Sequence, residues 1–134
     1  IMAGTNDLPS MNAAPVLACV QALHEVCHEF GVRTVALSVP PNEQSASDSR
    51  SRRRQAYRAR WGRLNELLRQ WACGPGAAQG VARFVDVAEL VPFTEEDGHW
   101  EPDGLHFSPA GSWQLGELLA PLLRPDPAAG EDAR

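Results

Sequence analysis

Apolar residues recur at Val16, Val20, Leu23, Cys27 and Phe30, at offsets of four, three, four and three. That spacing lays them on one face of a helix over about residues 13–30, and Gly31 follows as a helix-ending glycine. The next run, "VRTVALSV" at 32–39, is rich in β-branched residues and stops at Pro40-Pro41. It reads as a strand covered on both faces. The polar, turn-rich stretch at 41–51 reads as a loop. Tyr57, Trp61, Leu64, Leu68 and Trp71 then form the stripe of a second helix over about 52–72, ended by Gly74-Pro75-Gly76. "ARFVDV" predicts a short strand from Ala82 to Val87, and the acid-rich stretch from Pro92 to Pro102 a long loop with few core residues. Ser108-Pro109 opens a last helix, with serine as N-cap and proline in the first turn. Its apolar face is Leu115, Leu118, Leu119 and Leu122. Residues 124–134 read as a flexible tail.

The alternation of strand and helix predicts an α/β fold with a parallel sheet. Ile1–Ala3, stopped by Gly4, reads as the end of a further buried strand. Two strands and a remnant make a narrow sheet, so the expectation is a domain lacking its N-terminal elements. Such a chain would expose the edge of its first strand and tend to self-associate. There is no internal repeat.

The chain has 134 residues, is 43% hydrophobic and carries a net charge of −5. Those values fit one globular domain rather than a disordered chain. No apolar run approaches the ~20 residues that cross a bilayer. The first residues lack a basic region followed by an apolar one, which leaves the compartment undetermined. Cys19, Cys27 and Cys73 are too few and too scattered for a disulfide framework or a cysteine zinc knuckle, and read as packed thiols. Eight of the twelve basic residues, all Arg, fall between Arg50 and Arg69. Net acidity and the interleaved core positions make that run a solvated helix face, with Arg stems over its margins, rather than a nucleic-acid surface.

In an open α/β sheet, ligands bind beyond the carboxyl ends of the strands. Three polar loops fall there: Gly4-Thr5-Asn6-Asp7, Pro40-Pro41-Asn42, and the loop leading to "EPDGLHFSPAG". Asp103 and His106, three apart on a turn, can hydrogen-bond. The carboxylate would orient the imidazole and the ring would act as general base. The Asn6 side-chain amide could stabilise a developing oxyanion, with Asp7 fixing its loop. The set suits acyl transfer but lacks a nucleophile. Ser108 is occupied as an N-cap and Ser38 reads as buried packing. Trp100 and Trp113 could flank an acyl pocket, but aromatics at such places usually serve the core. A competing pattern is "HEVCHEFG" at 24–31, which fits H-E-x-x-H: His24 and His28 as zinc ligands and Glu25 as base. Thr34 stands where a third histidine would be required, and the stripe above puts both histidines on the margin of the buried face.

"GTND" at 4–7 and "DGLHFSPAGSWQLGELLA" at 103–120 resemble the third and fifth sequence blocks of the SGNH, or GDSL-like, serine hydrolases. The strands between them are similar in kind and order to that family's. The resemblance covers the chain to about residue 123. It implies a three-layer α/β/α, flavodoxin-like domain of which 1–123 is the C-terminal part. It further implies Asp103 and His106 as triad members, Asn6 as an oxyanion-hole donor supported by Gly4 and Asp7, a small ester as substrate, and no cofactor or metal. The family's block with the catalytic serine, and the one with an oxyanion-hole glycine, do not occur here. The chain is therefore expected to be inactive alone and to depend on a preceding segment of the same domain. The alternative is a catalytically inactive module for binding or scaffolding, with zinc at the histidine helix a distant third. Specificity would reside in loops such as 43–50 and 92–102, which carry no decodable signature.

Overall fold

A computed structural model describes residues 1–48 and 50–124. Its sheet has two parallel strands, β1 (Thr34–Leu37) and β2 (Val81–Val85), paired Thr34 with Val81, Ala36 with Phe84 and Leu37 with Val85. Ile1 lies along the free edge of β1. Its nitrogen donates to the Val35 carbonyl at 2.6 Å and its carbonyl accepts from Leu37 N–H at 2.9 Å, the alternation of a parallel ladder. Residues 1–3 thus run beside β1 as expected, although Met2 is exposed and the segment is not a fully buried strand.

β1 is shorter than the apolar run suggests. Val32 is exposed, and Val39 leaves the ladder because the Asn65 side chain takes both of its backbone groups. Asn65 Oδ1 accepts from Val39 N–H at 2.8 Å, and Nδ2 donates to the Val39 carbonyl at 3.0 Å. The face of β1 carrying Val35 and Leu37 is only half-buried, not fully covered.

Helix α1 (Ala13–Glu29) and helix α3 (Arg52–Cys73) cover the other face of the sheet. On α3 the expected stripe is buried at Tyr57, Leu64, Leu68 and Trp71, with Trp61 at its margin. On α1 the stripe is rotated from the expected one. Ala13, Val16, Val20 and His24 face inward, while Leu23 is 48% and Phe30 80% exposed. An imidazole displaces a leucine from the core here because one ring nitrogen finds a hydrogen-bond partner in Thr34, which offsets part of the cost of burying it.

Three short helices fall where loops or breaks were expected: α2 (Glu43–Ala46), α4 (Pro75–Gln79) and α5 (Val87–Leu90). α2 owes its existence to a capping box. The Asn42 side chain accepts from Ser45 N–H, and the Ser45 hydroxyl from Asn42 N–H. The last helix, α6 (Pro109–Leu123), starts at the expected Ser108 cap. Leu115 packs with Val87 and Val91, against which Leu37, Leu118 and Leu119 are partly buried. α6 thereby sits on the second side of β1. The expected tail lies, from residue 125 on, outside the described residues. No helix among the described residues is long and apolar enough to cross a membrane.

Leu64, fully buried between α1, α3 and the Gly4 loop, anchors the α1–α3 layer. Leu64→Ala is expected to lower unfolding stability by ~2–5 kcal/mol, measured as a shift of the urea midpoint at constant slope.

Candidate functional site

The parallel strands send their outgoing loops to one edge of the sheet, and the predicted site residues follow these loops. Gly4 turns the chain after the Ile1 segment with φ of +111°, where a Cβ would lie 3.0 Å from Val16 Cγ1. Its carbonyl accepts from Asp7 N–H at 3.2 Å and Leu8 N–H at 3.3 Å, and the Asp7 carbonyl accepts from Met11 N–H at 2.8 Å. Asp7 therefore fixes this loop through its main chain, and its side chain is exposed. Asn6 is exposed too, and its amide has no protein partner among the described residues.

Asp103 and His106 sit on the turn of a short antiparallel hairpin that the polar sequence of 92–102 conceals. Glu101 N–H donates to the His106 carbonyl at 2.8 Å, Ser108 N–H donates to the His99 carbonyl at 2.9 Å, and Trp100 bridges to Phe107. Trp100 is a core residue, buried between Phe93 at 5.2 Å and Phe107 at 4.4 Å between ring centroids. A lone apolar residue between His99 and Glu101 is the sequence feature that marks this hairpin. Trp113 is 73% exposed and lines no part of this turn.

The hairpin is fastened at both ends. At the stem, the Ser108 hydroxyl donates to the Gly98 carbonyl at 2.6 Å and accepts from Gly111 N–H at 3.1 Å. Gly111 lets the start of α6 approach the His99 carbonyl so closely that a Cβ there would collide with it. At the turn, Gly104 has φ of +63°, its carbonyl accepts from Glu43 N–H at 2.8 Å, and a Cβ would lie 2.8 Å from Glu43 Cβ. The turn is thus seated on the first residue of α2, beyond the carboxyl end of β1.

Within the turn, Asp103 Oδ1 accepts from Leu105 N–H at 2.8 Å and His106 N–H at 3.0 Å, while Oδ2 meets His106 Nδ1 at 2.7 Å. The hydrogen bond from the His106 ring, followed by those two backbone donors, lowers the Asp103 pKa to about 2. With Nδ1–H given to the carboxylate, Nε2 is the ring's free base, and no protein group among the described residues occupies it. The pair is open to solvent, with side chains 68% and 51% exposed. The structure brings Asp103 and His106 together. Asn6 leaves from the same edge of the sheet, but no hydrogen bond joins it to the turn. A second acid–imidazole pair, Asp97 and His99 at 3.2 Å, lies in the hairpin stem and was not singled out from sequence.

The two tempting serines have engaged hydroxyls. Ser108 Oγ caps α6 as described. Ser38, fully buried, donates to Asp86 Oδ1 at 3.0 Å and accepts from Val87 N–H at 2.8 Å. Glu25 is exposed, while His24 is fully buried rather than marginal. His24 Nδ1 lies 2.6 Å and His28 Nε2 2.9 Å from the Thr34 hydroxyl. One hydroxyl has one proton, so Thr34 can donate to at most one ring and accepts from at least one of them. The residue standing in the third-ligand position thus occupies the space between the two imidazoles. Among the described residues, no group of three or more His, Cys, Asp or Glu is placed to hold a metal ion.

Two titrations follow. The Asp103 carboxyl is expected to titrate near 2 by NMR and to move up toward 3.8 in His106→Ala; an unchanged midpoint would show that the ring does not hold it. Burial, reinforced by nearby positive charge, lowers the His24 pKa from 6.5 to about 4. The folded protein therefore binds this proton less readily than the unfolded chain. The stability contributed by neutral His24 is complete above pH 6.5 and is lost as pH falls from 6.5 to about 4, at no more than about 1.4 kcal/mol per pH unit. Urea midpoints over that range should fall less steeply in His24→Gln. Comparison with known proteins assigns no family: no family model, curated protein or solved structure matches the chain.

Proposed function

We propose that this chain is part of an SGNH-like serine ester hydrolase domain of three-layer α/β/α, flavodoxin-like type, and supplies its acid, its base and one oxyanion donor. The observation that carries this reading is the Asp103–His106 contact of 2.7 Å on a turn at the carboxyl edge of a parallel sheet. His106 Nε2 would take the proton of a serine hydroxyl as it attacks the ester carbonyl, then return it to the departing alcohol. Asp103 holds Nδ1–H, fixes the tautomer and stabilises the imidazolium. Asn6, exposed in the loop that follows the Ile1 segment at the same edge of the sheet, would donate its amide N–H to the oxyanion. The engaged hydroxyls of Ser38 and Ser108 support a nucleophile from outside this chain, in a preceding segment of the same domain.

The test is turnover of p-nitrophenyl acetate and butyrate. The 134-residue chain is expected to release nitrophenol only at the rate of buffer. A longer product of the same reading frame that contains a glycine-aspartate-serine turn should hydrolyse both esters. In that protein, His106→Ala should reduce kcat by more than ~10³-fold and Asn6→Ala by ~10²–10³-fold. Turnover by the short chain that His106→Ala abolishes would place the nucleophile within it. A longer protein that carries the serine and leaves the esters intact would favour a binding or scaffold module.

A further inference from the structure

Asn42, beyond the carboxyl end of β1, and Tyr57, on α3, are each 2% exposed, and neither belongs to the Asp103–His106 turn. Every polar group of Asn42 is engaged. Its backbone N–H donates to the Ser45 hydroxyl at 2.8 Å, and its backbone carbonyl accepts from Ala46 N–H at 2.9 Å. In the side chain, Oδ1 accepts from Ser45 N–H at 2.9 Å and Nδ2 donates to the Tyr57 hydroxyl at 2.7 Å. A buried amide that spends its oxygen on one element and its nitrogen on another cannot rotate without losing both bonds. The first turn of α2 is therefore fixed against α3.

That turn reaches the acid through one peptide group. Glu43, the first helical residue after the Asn42 cap, donates its N–H to the Gly104 carbonyl at 2.8 Å. The Gly104 carbonyl and the Leu105 N–H belong to one planar trans peptide and point in opposite directions. With the carbonyl held by Glu43, the N–H of the same plane is aimed at Asp103, whose Oδ1 accepts it at 2.8 Å. A donor on the carbonyl also polarises the peptide and strengthens what its N–H gives. The approach requires glycine, since a Cβ on Gly104 would lie 2.8 Å from Glu43 Cβ. A chain of printed contacts thus runs from the α3 core to the carboxylate that orients the His106 ring.

We propose that Asn42 is a positioning residue for the Asp103–His106 pair, acting through the Glu43 N–H and the Gly104–Leu105 peptide. It touches neither the acid nor the imidazole. That the pair serves a serine esterase rests on the proposed function, whereas the positioning stands without it.

The test separates the Glu43 N–H from its side chain. Proline is favoured at the first position of a helix, and the extended backbone of Asn42, φ −153° and ψ 175°, accepts one after it. In the 134-residue chain, Glu43→Pro therefore removes the donor to Gly104 and leaves α2 able to form. Glu43→Ala removes the carboxylate and keeps the donor. The readout is the Asp103 carboxyl titration by NMR. It is expected near 2 in Glu43→Ala and higher, toward 3.8, in Glu43→Pro, where a backbone donor to the charged form is lost. Asn42→Ala should move it the same way. Asn42→Asp, which keeps the cap acceptor and can take the Tyr57 proton, should hold it near 2. A merely structural Asn42 would lower the urea midpoint in Asn42→Ala and leave the titration in place. That result, or equal titrations in Glu43→Pro and Glu43→Ala, would overturn the proposal. Should Asn42→Ala fail to fold, Tyr57→Phe decides, since it keeps the ring in the core and removes only the acceptor of Asn42 Nδ2: an upward shift supports the positioning and none refutes it. In the longer protein, Asn42→Ala should lower kcat about ten-fold or more with KM little changed. Ester hydrolysis with a kcat indifferent to Asn42→Ala would refute the positioning and leave the hydrolase reading intact. A shifted Asp103 titration without ester hydrolysis would do the reverse.

Discussion

Asp103 accepts three hydrogen bonds, two from the main chain of its own turn and one from the ring of His106. This one carboxylate both shapes the turn and aims the imidazole. The two backbone donors fix the carboxylate plane before the ring is placed, so Oδ2 is already directed at Nδ1. That is preorganisation of the kind a general base requires. Little stability is gained, because an exposed ion pair is screened by water. The turn is held in place by neutral contacts around it, namely Gly104 on α2 and Ser108 and Gly111 at the start of α6. The carboxylate shapes the turn from within, and these contacts seat it on the rest of the fold.

Much of that frame was legible in the sequence, and the parts that were not have identifiable physical causes. The α3 stripe and the Ser108 cap could be read because each depends on local periodicity or on one side chain bonding its own backbone. The α1 face was misread by one position. Leucine outranks histidine for burial until a partner offsets part of the desolvation cost, and that partner, Thr34, comes from the following strand. α2 was hidden in a polar segment because a capping box of Asn42 and Ser45 needs no apolar periodicity. The hairpin at 99–108 was hidden for a related reason: its core side is a single tryptophan among acids, and the other aromatics that bury it, Phe93 and Phe107, are not its chain neighbours. The spacing of Asp103 and His106 was enough to predict their contact, while nothing in the sequence showed that Gly104 would seat the turn on Glu43.

The histidine helix shows how the same residues take different work according to one neighbour. His24 and His28 are one helical turn apart, as a metal pair would be. In this fold the chain re-enters after α1 with Thr34 placed so that its hydroxyl meets both rings. The network fastens α1 to β1 at the end of the sheet opposite the candidate site. His24 Nε2 has no hydrogen-bond partner among the described residues, and the ring meets Trp71 in a T-shaped contact at 5.0 Å. A buried, half-satisfied imidazole is tolerable while neutral and costly when protonated, so this junction is the acid-sensitive joint of the α1 layer.

The hairpin holds two acid–imidazole pairs, and their settings separate their roles. His99 is in the stem, where its carbonyl accepts the Ser108 amide and its ring and Asp97 are each about 30% exposed. Its position is dictated by the packing of α6. His106 is in the turn, where only Asp103 constrains the ring and Nε2 is open. Exposure leaves that base in water, where a carboxylate–imidazole interaction is worth little. In the proposed hydrolase, the base would therefore need a cover that excludes solvent.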